Sequence, residues 1–316
     1  MFKSSSIFIS LILFNLIACS GLKPEFIELG FENDLIPEGI AIDCKTEKVY
    51  LNSLKNNKIV FSNLDGDIPN TFLKSKEHGY LPGFGMTIKG DTLYALGNKL
   101  TGQSNTSVLL LLQLSSKKLI DSYTIKDGGF HYLNDLAISS KNEIFITDSE
   151  SNKVYKIKRP SKKIEIYLDS KEISNSNGIS ISSNDKYLYL ASTEGIRIIE
   201  IDSKKILNEQ NKEFLGIDGL KFYNNNLYGI VNVYPNNDSK NGLFKYNLNS
   251  QGTEILESQK IVEFQEEFKI PTTFDICNGY IYFVINTQLD NFDGNTNKIL
   301  DLKKLESYKL IKIKMQ

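Results

Sequence analysis

A unit of about 45 residues recurs six times along this 316-residue chain, and the recurrence constrains its fold more than any other feature. Each unit has a short segment of alternating apolar residues, a polar turn, a second segment rich in aromatic residues, and a third alternating segment. The units begin at Gly39, Gly85, Asp135, Gly178, Gly219 and Thr273, at intervals of 46, 50, 43, 41 and 54 residues. Repeats of this length with three or four short strands are typical of propeller blades. The sequence therefore predicts an all-β fold, a six-bladed β-propeller around a central channel.

The segment before the first unit is expected to close the ring. The sequence "PEFIELGF", at residues 24–31, alternates like a strand. We expect it to pair beside the last strand of the chain, near Tyr308 to Lys314. Residues 25–316 are therefore expected to form a single propeller domain.

The N-terminal segment has the character of a lipoprotein signal peptide. Residues 1–18 contain an apolar run from Ile7 to Ala18 that is too short to span a bilayer. The run ends in Leu16-Ile17-Ala18-Cys19, which resembles a bacterial lipobox. This resemblance implies a lipid on Cys19, a tether over residues 19–24, and attachment to a membrane of the bacterial cell envelope. An ordinary cleaved signal peptide with a chance cysteine is the alternative.

Charge and cysteine content exclude some classes of function and leave others open. The formal net charge is −1 and no basic stripe is present, so binding to nucleic acid has no electrostatic support. Cys44 and Cys277 are the cysteines outside the N-terminal segment. An exported protein can pair them, and free buried thiols are the alternative.

The residue before each inner strand reaches the same mouth of the channel, because the inner strands of all blades run in the same direction. In chain order these residues are Glu38, Phe84, Asn134, Asn177, Asp218 and Thr272. Four of them carry carboxylate or amide oxygens, which are the ligands that Ca²⁺ prefers. Two converging carboxylates repel each other unless a cation neutralises them. We therefore expect a site for Ca²⁺ or another divalent cation at this mouth; the alternative is that the Asn and Asp residues only form turns.

Four short motifs resemble a known family. "PEGIAID", "LNDLAIS", "SNGISIS" and "IDGLKF" are similar to the metal-ligand motifs of the senescence marker protein/gluconolactonase-like six-bladed propellers, relatives of diisopropyl fluorophosphatase and the paraoxonases. The resemblance implies that Glu38, Asn134, Asn177 and Asp218 hold a catalytic divalent metal, usually calcium. It also implies hydrolysis of a lactone or related ester as the small-molecule substrate. Asp218 would act either as general base on water or as nucleophile.

Two acidic residues of the inner strands and one histidine are further candidates. Asp135 stands where four other units have glycine. It is expected either to approach a second, buried calcium, as in the paraoxonases, or to hydrogen-bond to neighbouring backbone. Asp275 is expected to line the channel. His131 is a candidate proton shuttle at the mouth, with a plain loop histidine as the alternative, and Asp148 is expected to start a turn.

The substrate pocket is predicted from the remaining mouth positions. Phe84, Tyr132 and Thr272 are expected to line it. Sugar-lactone members of the resembled family carry an arginine where this chain has Tyr132, so an apolar lactone or ester suits these residues better than gluconolactone.

Two other functions are compatible with the same residues. A non-catalytic propeller would keep the metal site and bind a ligand or an unknown protein partner. A lyase or isomerase would use the same ring of oxygens for different chemistry.

Overall fold

The computed structural model describes residues 24–159, 161–232 and 239–315. The predicted signal peptide, Cys19 and all of the predicted tether except Pro24 lie outside these residues. The described chain forms six antiparallel sheets arranged as blades, which confirms the predicted six-bladed β-propeller. None of its helices in the described ranges is long and apolar enough to cross a membrane.

The first strand of the described chain, β1 (Glu25–Leu29), belongs to the last blade, and the first three blades that follow each have four strands. Blade 1 contains β2 (Ile40–Asp43), β3 (Lys48–Asn52), β4 (Ile59–Asn63) and β5 (Asn70–Leu73). Blade 2 contains β6 (Gly83–Lys89), β7 (Thr92–Asn98), β8 (Ser107–Gln113) and β9 (Leu119–Ile125). Blade 3 contains β10 (Leu133–Ile138), β11 (Ile144–Asp148), β12 (Lys153–Ile157) and β13 (Ile164–Asp169).

Of the other three blades, blade 5 again has four consecutive strands, whereas blade 4 has three and blade 6 takes its outer strand from the beginning of the described chain. Blade 4 has three strands, β14 (Ile179–Ile181), β15 (Tyr187–Ser192) and β16 (Gly195–Glu200). Blade 5 contains β17 (Ile217–Tyr223), β18 (Asn226–Val231), β19 (Gly242–Leu248) and β20 (Ile255–Glu263). Blade 6 contains β21 (Asp275–Cys277), β22 (Tyr280–Val284) and β25 (Tyr308–Lys314), and β1 lies at its outer edge. Single 3₁₀ turns span Glu77–Gly79, Lys171–Ile173, Lys212–Phe214, Leu289–Asn291 and Leu302–Lys304.

Two features join the first blade to the last. β1 pairs antiparallel with β25, as the sequence predicts, and Ile27 lies opposite Leu310. A disulfide between Cys44, after β2, and Cys277, in β21, bridges blades 1 and 6 with 5.6 Å between the two Cα atoms. Of the two alternatives that the sequence leaves open, the structure therefore has the disulfide and not two free thiols. Both features help to close the ring between blades 1 and 6.

Stacking of the blades explains why some strands are apolar on both faces. The run Leu109–Leu112 in β8 is fully buried. Leu109 and Leu111 pack toward blade 3, and Leu110 and Leu112 pack toward blade 1. Burial of a leucine side chain contributes about 1.5–3 kcal/mol, so both faces of this strand stabilise the stack.

An insertion in blade 6 covers part of the mouth face. Residues 285–307 connect β22 to β25 and contain the hairpin β23 (Phe292–Asp293) and β24 (Lys298–Ile299). Phe292 and Ile299 pack against an apolar cluster that includes Leu54 and Phe84 from blades 1 and 2. The insertion therefore crosses from the last blade to the second.

Candidate metal centre at the channel mouth

The inner strands approach one another closely where each repeat begins. They follow one another around the channel in the order β2, β6, β10, β14, β17 and β21, and β21 returns to β2. A Cβ atom on Gly39 would overlap the carbonyl oxygen of Phe84, and one on Gly178 would overlap that of Asp218. Glycine at these two positions therefore allows neighbouring inner strands to approach closely, with Gly39 against Phe84 and Gly178 against Asp218.

Three candidate ligand oxygens are buried and have no hydrogen-bond partner. They are Oε2 of Glu38, Oδ1 of Asn134 and Oδ1 of Asn177, contributed by blades 1, 3 and 4. A buried polar atom without a partner costs about 1–3 kcal/mol, and a charged one costs more. These three oxygens lie at equivalent positions of the repeat, and no hydrogen-bond donor among the described residues is paired with them. A bound cation would supply the missing partner.

Hydrogen bonds hold the backbone of Glu38 and the side chain of Asn134 in position. The Asn52 Oδ1 accepts from the backbone N–H groups of Glu38 and Gly39, at 3.3 and 2.9 Å. The Thr272 hydroxyl donates to the carbonyl oxygen of Glu38 at 2.7 Å. In blade 3, the Asn134 Nδ2 donates to Oγ of Ser149 at 3.0 Å, so its Oδ1 remains unpaired.

The fourth candidate ligand, Asp218, differs because its carboxylate is already hydrogen-bonded. Nδ2 of Asn232, at the end of β18, donates to Oδ2 of Asp218 at 2.8 Å. Burial raises the pKa of Asp218 from 3.8 to about 6; hydrogen bonds from Asn232 and Asn177 oppose the rise and the charge of Asp135 adds to it. This carboxylate can therefore take up a proton near neutral pH.

Electrostatics at the mouth favour a cation. Burial raises the pKa of Glu38 well above its usual value, and the negative charges of Asp218 and Asp135 raise it further. No group of three or more His, Cys, Asp or Glu side chains within residues 24–159, 161–232 and 239–315 is arranged to hold a metal. The candidate centre instead combines two carboxylates with two amides, a donor set suited to Ca²⁺.

Two buried carboxylates of the inner strands, Asp135 and Asp275, are affected by the charge of the same lysine. The Asp135 carboxylate accepts from the backbone N–H groups of Leu136 and Ile179, at 2.8 and 3.3 Å. That of Asp275 accepts from Ile42 N–H at 2.8 Å. Burial raises the pKa of both acids, and the positive charge of Lys221 in β17 opposes that rise. Sequence reasoning missed Lys221, whose positive charge acts on both of these acids.

His131 is fixed between two carboxylates in blade 3. Its Nδ1 lies 2.8 Å from Oδ2 of Asp148, and its Nε2 lies 2.9 Å from Oδ1 of Asp127. Only 4% of the residue is exposed. Burial alone would lower its pKa, but the bonds to Asp127 and Asp148 raise it. Asp148 also accepts from Tyr132 N–H and from Glu150 N–H in the turn, as predicted for a turn-starting residue.

A cavity of about 380 Å³ opens beside two of the candidate ligands. Its lining includes Asn177, Asp218, Asn232, Ser192, Leu215 and Ile217. Phe84 and Tyr132 lie elsewhere on the mouth face, where their rings pack edge to face at 4.9 Å. Thr272 is buried and holds the Glu38 backbone. The cavity thus lies at blades 4 and 5, whereas the predicted aromatic wall lies at blades 2 and 3.

The supporting residues missed in the sequence share one position in the repeat. Asn52 is the last residue of β3, and Asn232 and Ser149 directly follow β18 and β11. Asn98 occupies the same place in blade 2 and bonds the backbone of Leu133 through both amide atoms, at 2.9 and 3.0 Å. The recurring endings "LNS", "LGN", "TDS" and "IVN" were the signal that identifies this position.

Comparison with known proteins supports the fold but not a specific activity. No protein-family model and no curated protein sequence matches this chain. Three similar solved structures are a gluconolactonase from Xanthomonas campestris, a calcium-binding regucalcin from Agrobacterium tumefaciens and virginiamycin B lyase from Staphylococcus aureus. The respective identities are 11%, 11% and 14%, and the TM-scores are 0.58, 0.56 and 0.58. The alignments cover 88%, 89% and 93% of this chain, and 86%, 92% and 100% of the other chains. Gluconolactonase-like and regucalcin-like propellers are thus among its structural neighbours, and the fold is shared with a lyase as well.

Proposed function

We propose that the ring of Glu38, Asn134, Asn177 and Asp218 binds one divalent cation, calcium in preference to a softer metal. The observation that carries this proposal is the set of three buried, unpartnered oxygens on Glu38, Asn134 and Asn177. All four side chains offer hard oxygen donors, and Asn134 is held so that its oxygen is the free atom. The two carboxylates balance the charge of a divalent cation, and the two amides add neutral oxygen ligands.

We further propose that the protein is a hydrolase of lactones or related esters. A bound calcium ion would supply electrostatic stabilisation for a substrate oxygen that becomes negative during acyl transfer. Asp218 lies on the wall of the 380 Å³ cavity, a volume typical of small-molecule sites. Its raised pKa suits a group that takes a proton from water and returns it to the leaving alkoxide. Asn232 holds the carboxylate in place for that step.

Cation binding can be tested separately from catalysis. Protein freed of divalent ions on a chelating resin is titrated with calcium in a calorimeter. We expect one ion per chain, with affinity lowered at least about tenfold by Glu38→Gln because a ligand charge is lost. Glu28→Gln is the matched control, since Glu28 is exposed on β1. Equal calcium affinity in both variants would refute the assigned ring.

Hydrolysis is tested on a panel of lactones and aryl esters of graded polarity. We expect calcium-dependent turnover of at least one member, with kcat lowered about 100-fold or more by Asp218→Asn. If wild type, Glu38→Gln and Asp218→Asn hydrolyse the whole panel equally slowly, the hydrolase proposal is wrong. Calcium binding without turnover would then favour the binding propeller, and a product that has gained no water would favour a lyase or isomerase.

We also propose that the protein acts in the bacterial cell envelope, attached to a membrane by a lipid on Cys19. The support is the sequence Leu16-Ile17-Ala18-Cys19. Expression in a bacterial host with labelled palmitate should label the wild type and not Cys19→Ser. Labelling of both proteins would refute the anchor, while an unlabelled but secreted wild type would indicate an ordinary signal peptide.

A further inference from the structure

A second cavity, of about 410 Å³, lies at the rim of the mouth face. Its walls are the loop after β3 (residues 55–57), the loop after β7 (99–101) and the turn of the β23–β24 hairpin (294–297), completed by residues 75–76 and 81–82. These loops and the insertion follow strands that run toward the mouth. The cavity therefore opens on the same face as the candidate metal centre, but blades 1 and 2 and the insertion build it.

The lining of this cavity is positively charged and contains no acid. It includes Lys55, Lys76 and Lys99 and no Asp or Glu. None of these three lysines forms an ion pair with any residue that the structure describes. By contrast, Lys58 on the next strand pairs with Glu32 at 2.7 Å. Like charges around one cavity repel each other, and a bound anion would relieve that repulsion.

The acidic residues next to this cavity make other bonds. The Asp34 carboxylate accepts from Nδ2 of Asn56 at 3.2 Å. Asp293 accepts from Asn295 N–H at 2.9 Å and from the Thr296 hydroxyl at 2.6 Å, within the hairpin turn. Glu77 accepts from the backbone N–H of Lys74 at 2.9 Å. Among the described residues, these acids bond to the walls of the cavity and form no ion pair with its lysines.

Neutral donors accompany the lysines, and the walls are held in place by the protein itself. Asn57, Asn295 and Asn297, whose side-chain amides are hydrogen-bond donors, also line the cavity. Backbone bonds fix the wall segments, for example from Lys76 N–H to the Asn57 carbonyl and from Lys99 N–H to the Thr106 carbonyl, both 2.9 Å. Little ordering would therefore be needed when a ligand binds.

We propose that this cavity binds a small organic anion that carries two or more negative charges. The three lysines would neutralise its phosphate or carboxylate groups, and the asparagine amides would donate hydrogen bonds to its oxygens. Leu81, Pro82 and Leu100 give the cavity an apolar side for a short carbon skeleton. This site is separate from the candidate metal centre and does not depend on the proposed hydrolysis.

Calorimetry on metal-free protein, prepared with a chelating resin, tests this proposal. The probes are inorganic phosphate and succinate, with glucose as a neutral control. We expect at least one anion to bind with a Kd of about 1 mM or lower and glucose not to bind. The stronger of the two anions identifies phosphate or carboxylate chemistry. Each exposed lysine changes the affinity about two- to five-fold, so Lys76→Gln/Lys99→Gln should weaken binding about tenfold.

The matched control removes the same charge elsewhere. Lys118 and Lys163 are exposed and lie outside the cavity, so Lys118→Gln/Lys163→Gln should bind the anion as the wild type does. Glu38→Gln should also bind it normally, which separates this site from the calcium site. Failure of both anions to bind at about 1 mM, or equal loss of affinity in both lysine pairs, would overturn the proposal.

Discussion

Replacing Asp218 with asparagine is expected to stabilise the protein when divalent cations are absent. Burial raises the pKa of this carboxyl from 3.8 to about 6, so its ionised form is disfavoured in the folded state. Asparagine has nearly the same shape and no charge. Its side-chain oxygen can still accept the hydrogen bond from Asn232, which lies 2.8 Å from the carboxylate.

The size and sign of the effect follow from the pKa difference. A shift from 3.8 to about 6 corresponds to about 3 kcal/mol. Because the side chain is partly exposed to the cavity, we expect about 2 kcal/mol. The folded pKa is the higher one, so Asp218 loses its stabilising contribution as pH rises from about 3.8 to about 6. The gain from Asp218→Asn should therefore be near zero at pH 4 and complete above pH 6.

Calcium should reverse the order of stability. A ligand that binds the folded state at 100 times its Kd adds about 2.7 kcal/mol to the free energy of unfolding. The wild type would receive this contribution, whereas Asp218→Asn would lose most of it along with a ligand charge. The variant should thus be the more stable protein without calcium and the less stable one with it.

Urea denaturation followed by circular dichroism measures both effects. The free energy of unfolding is compared at pH 4 and pH 7.5, on resin-treated protein with and without added calcium. Asp202→Asn is the control, because Asp202 is exposed in the turn after β16. If Asp218→Asn destabilises the metal-free protein equally at both pH values, burial does not raise the pKa of Asp218 and the reasoning fails.

Three further predictions concern the frame around the site. The double variant Cys44→Ser/Cys277→Ser should lower the free energy of unfolding by about 2–5 kcal/mol, because the disulfide closes a loop of 233 residues; dithiothreitol should reproduce the loss in the wild type and leave the variant unchanged. Tyr308→Phe should cost about 1–3 kcal/mol in the same assay, since the Tyr308 hydroxyl donates to one backbone carbonyl and accepts from one N–H of the loop before the first inner strand; no loss would contradict these bonds. The pKa of His131 is raised in the folded state, so its contribution to stability is fully present below about pH 6.5 and is lost as pH rises through the folded pKa. The difference in unfolding free energy between wild type and His131→Gln should therefore shrink from pH 6 to pH 8. The decrease should be smaller in an Asp127→Asn background, because Asp127 helps to raise this pKa.

The fold could be predicted because the blades repeat both in sequence and in space. Each unit buries its strands against the neighbouring unit, so the same apolar spacing is selected six times. The leucines of β8 show the limit of reading one strand alone, because a fully apolar run fits a buried helix or strand equally well. Only the recurrence of the unit assigns "VLLLLQL" to the third strand of a blade with neighbours on both faces.

The candidate ligand residues could also be identified from the sequence, for a geometric reason. The repeat places each candidate ligand at the start of an inner strand: Glu38 and Asn177 lie just before β2 and β14, and Asn134 and Asp218 are the second residues of β10 and β17. Lys221 was not accessible in the same way. Lys221 belongs to blade 5, whereas Asp135 and Asp275 belong to blades 3 and 6. Its electrostatic effect on these two acids acts between blades, and no local sequence pattern indicates it.

The mouth face is built from two kinds of segment, the strands that recur in every blade and the insertion after β22. Positions on the strands are shared by all blades, so Glu38 and Asn177 can be compared with each other and assigned a common role. The insertion after β22 has no counterpart in the other units, yet its turn closes the lysine-lined cavity, where Gly294 lies against Leu100 of blade 2. A contact between a unique segment and a distant blade leaves no periodic trace in the sequence. The strand positions that the blades share are therefore predictable from the repeats, whereas the features that distinguish this propeller require its three-dimensional structure.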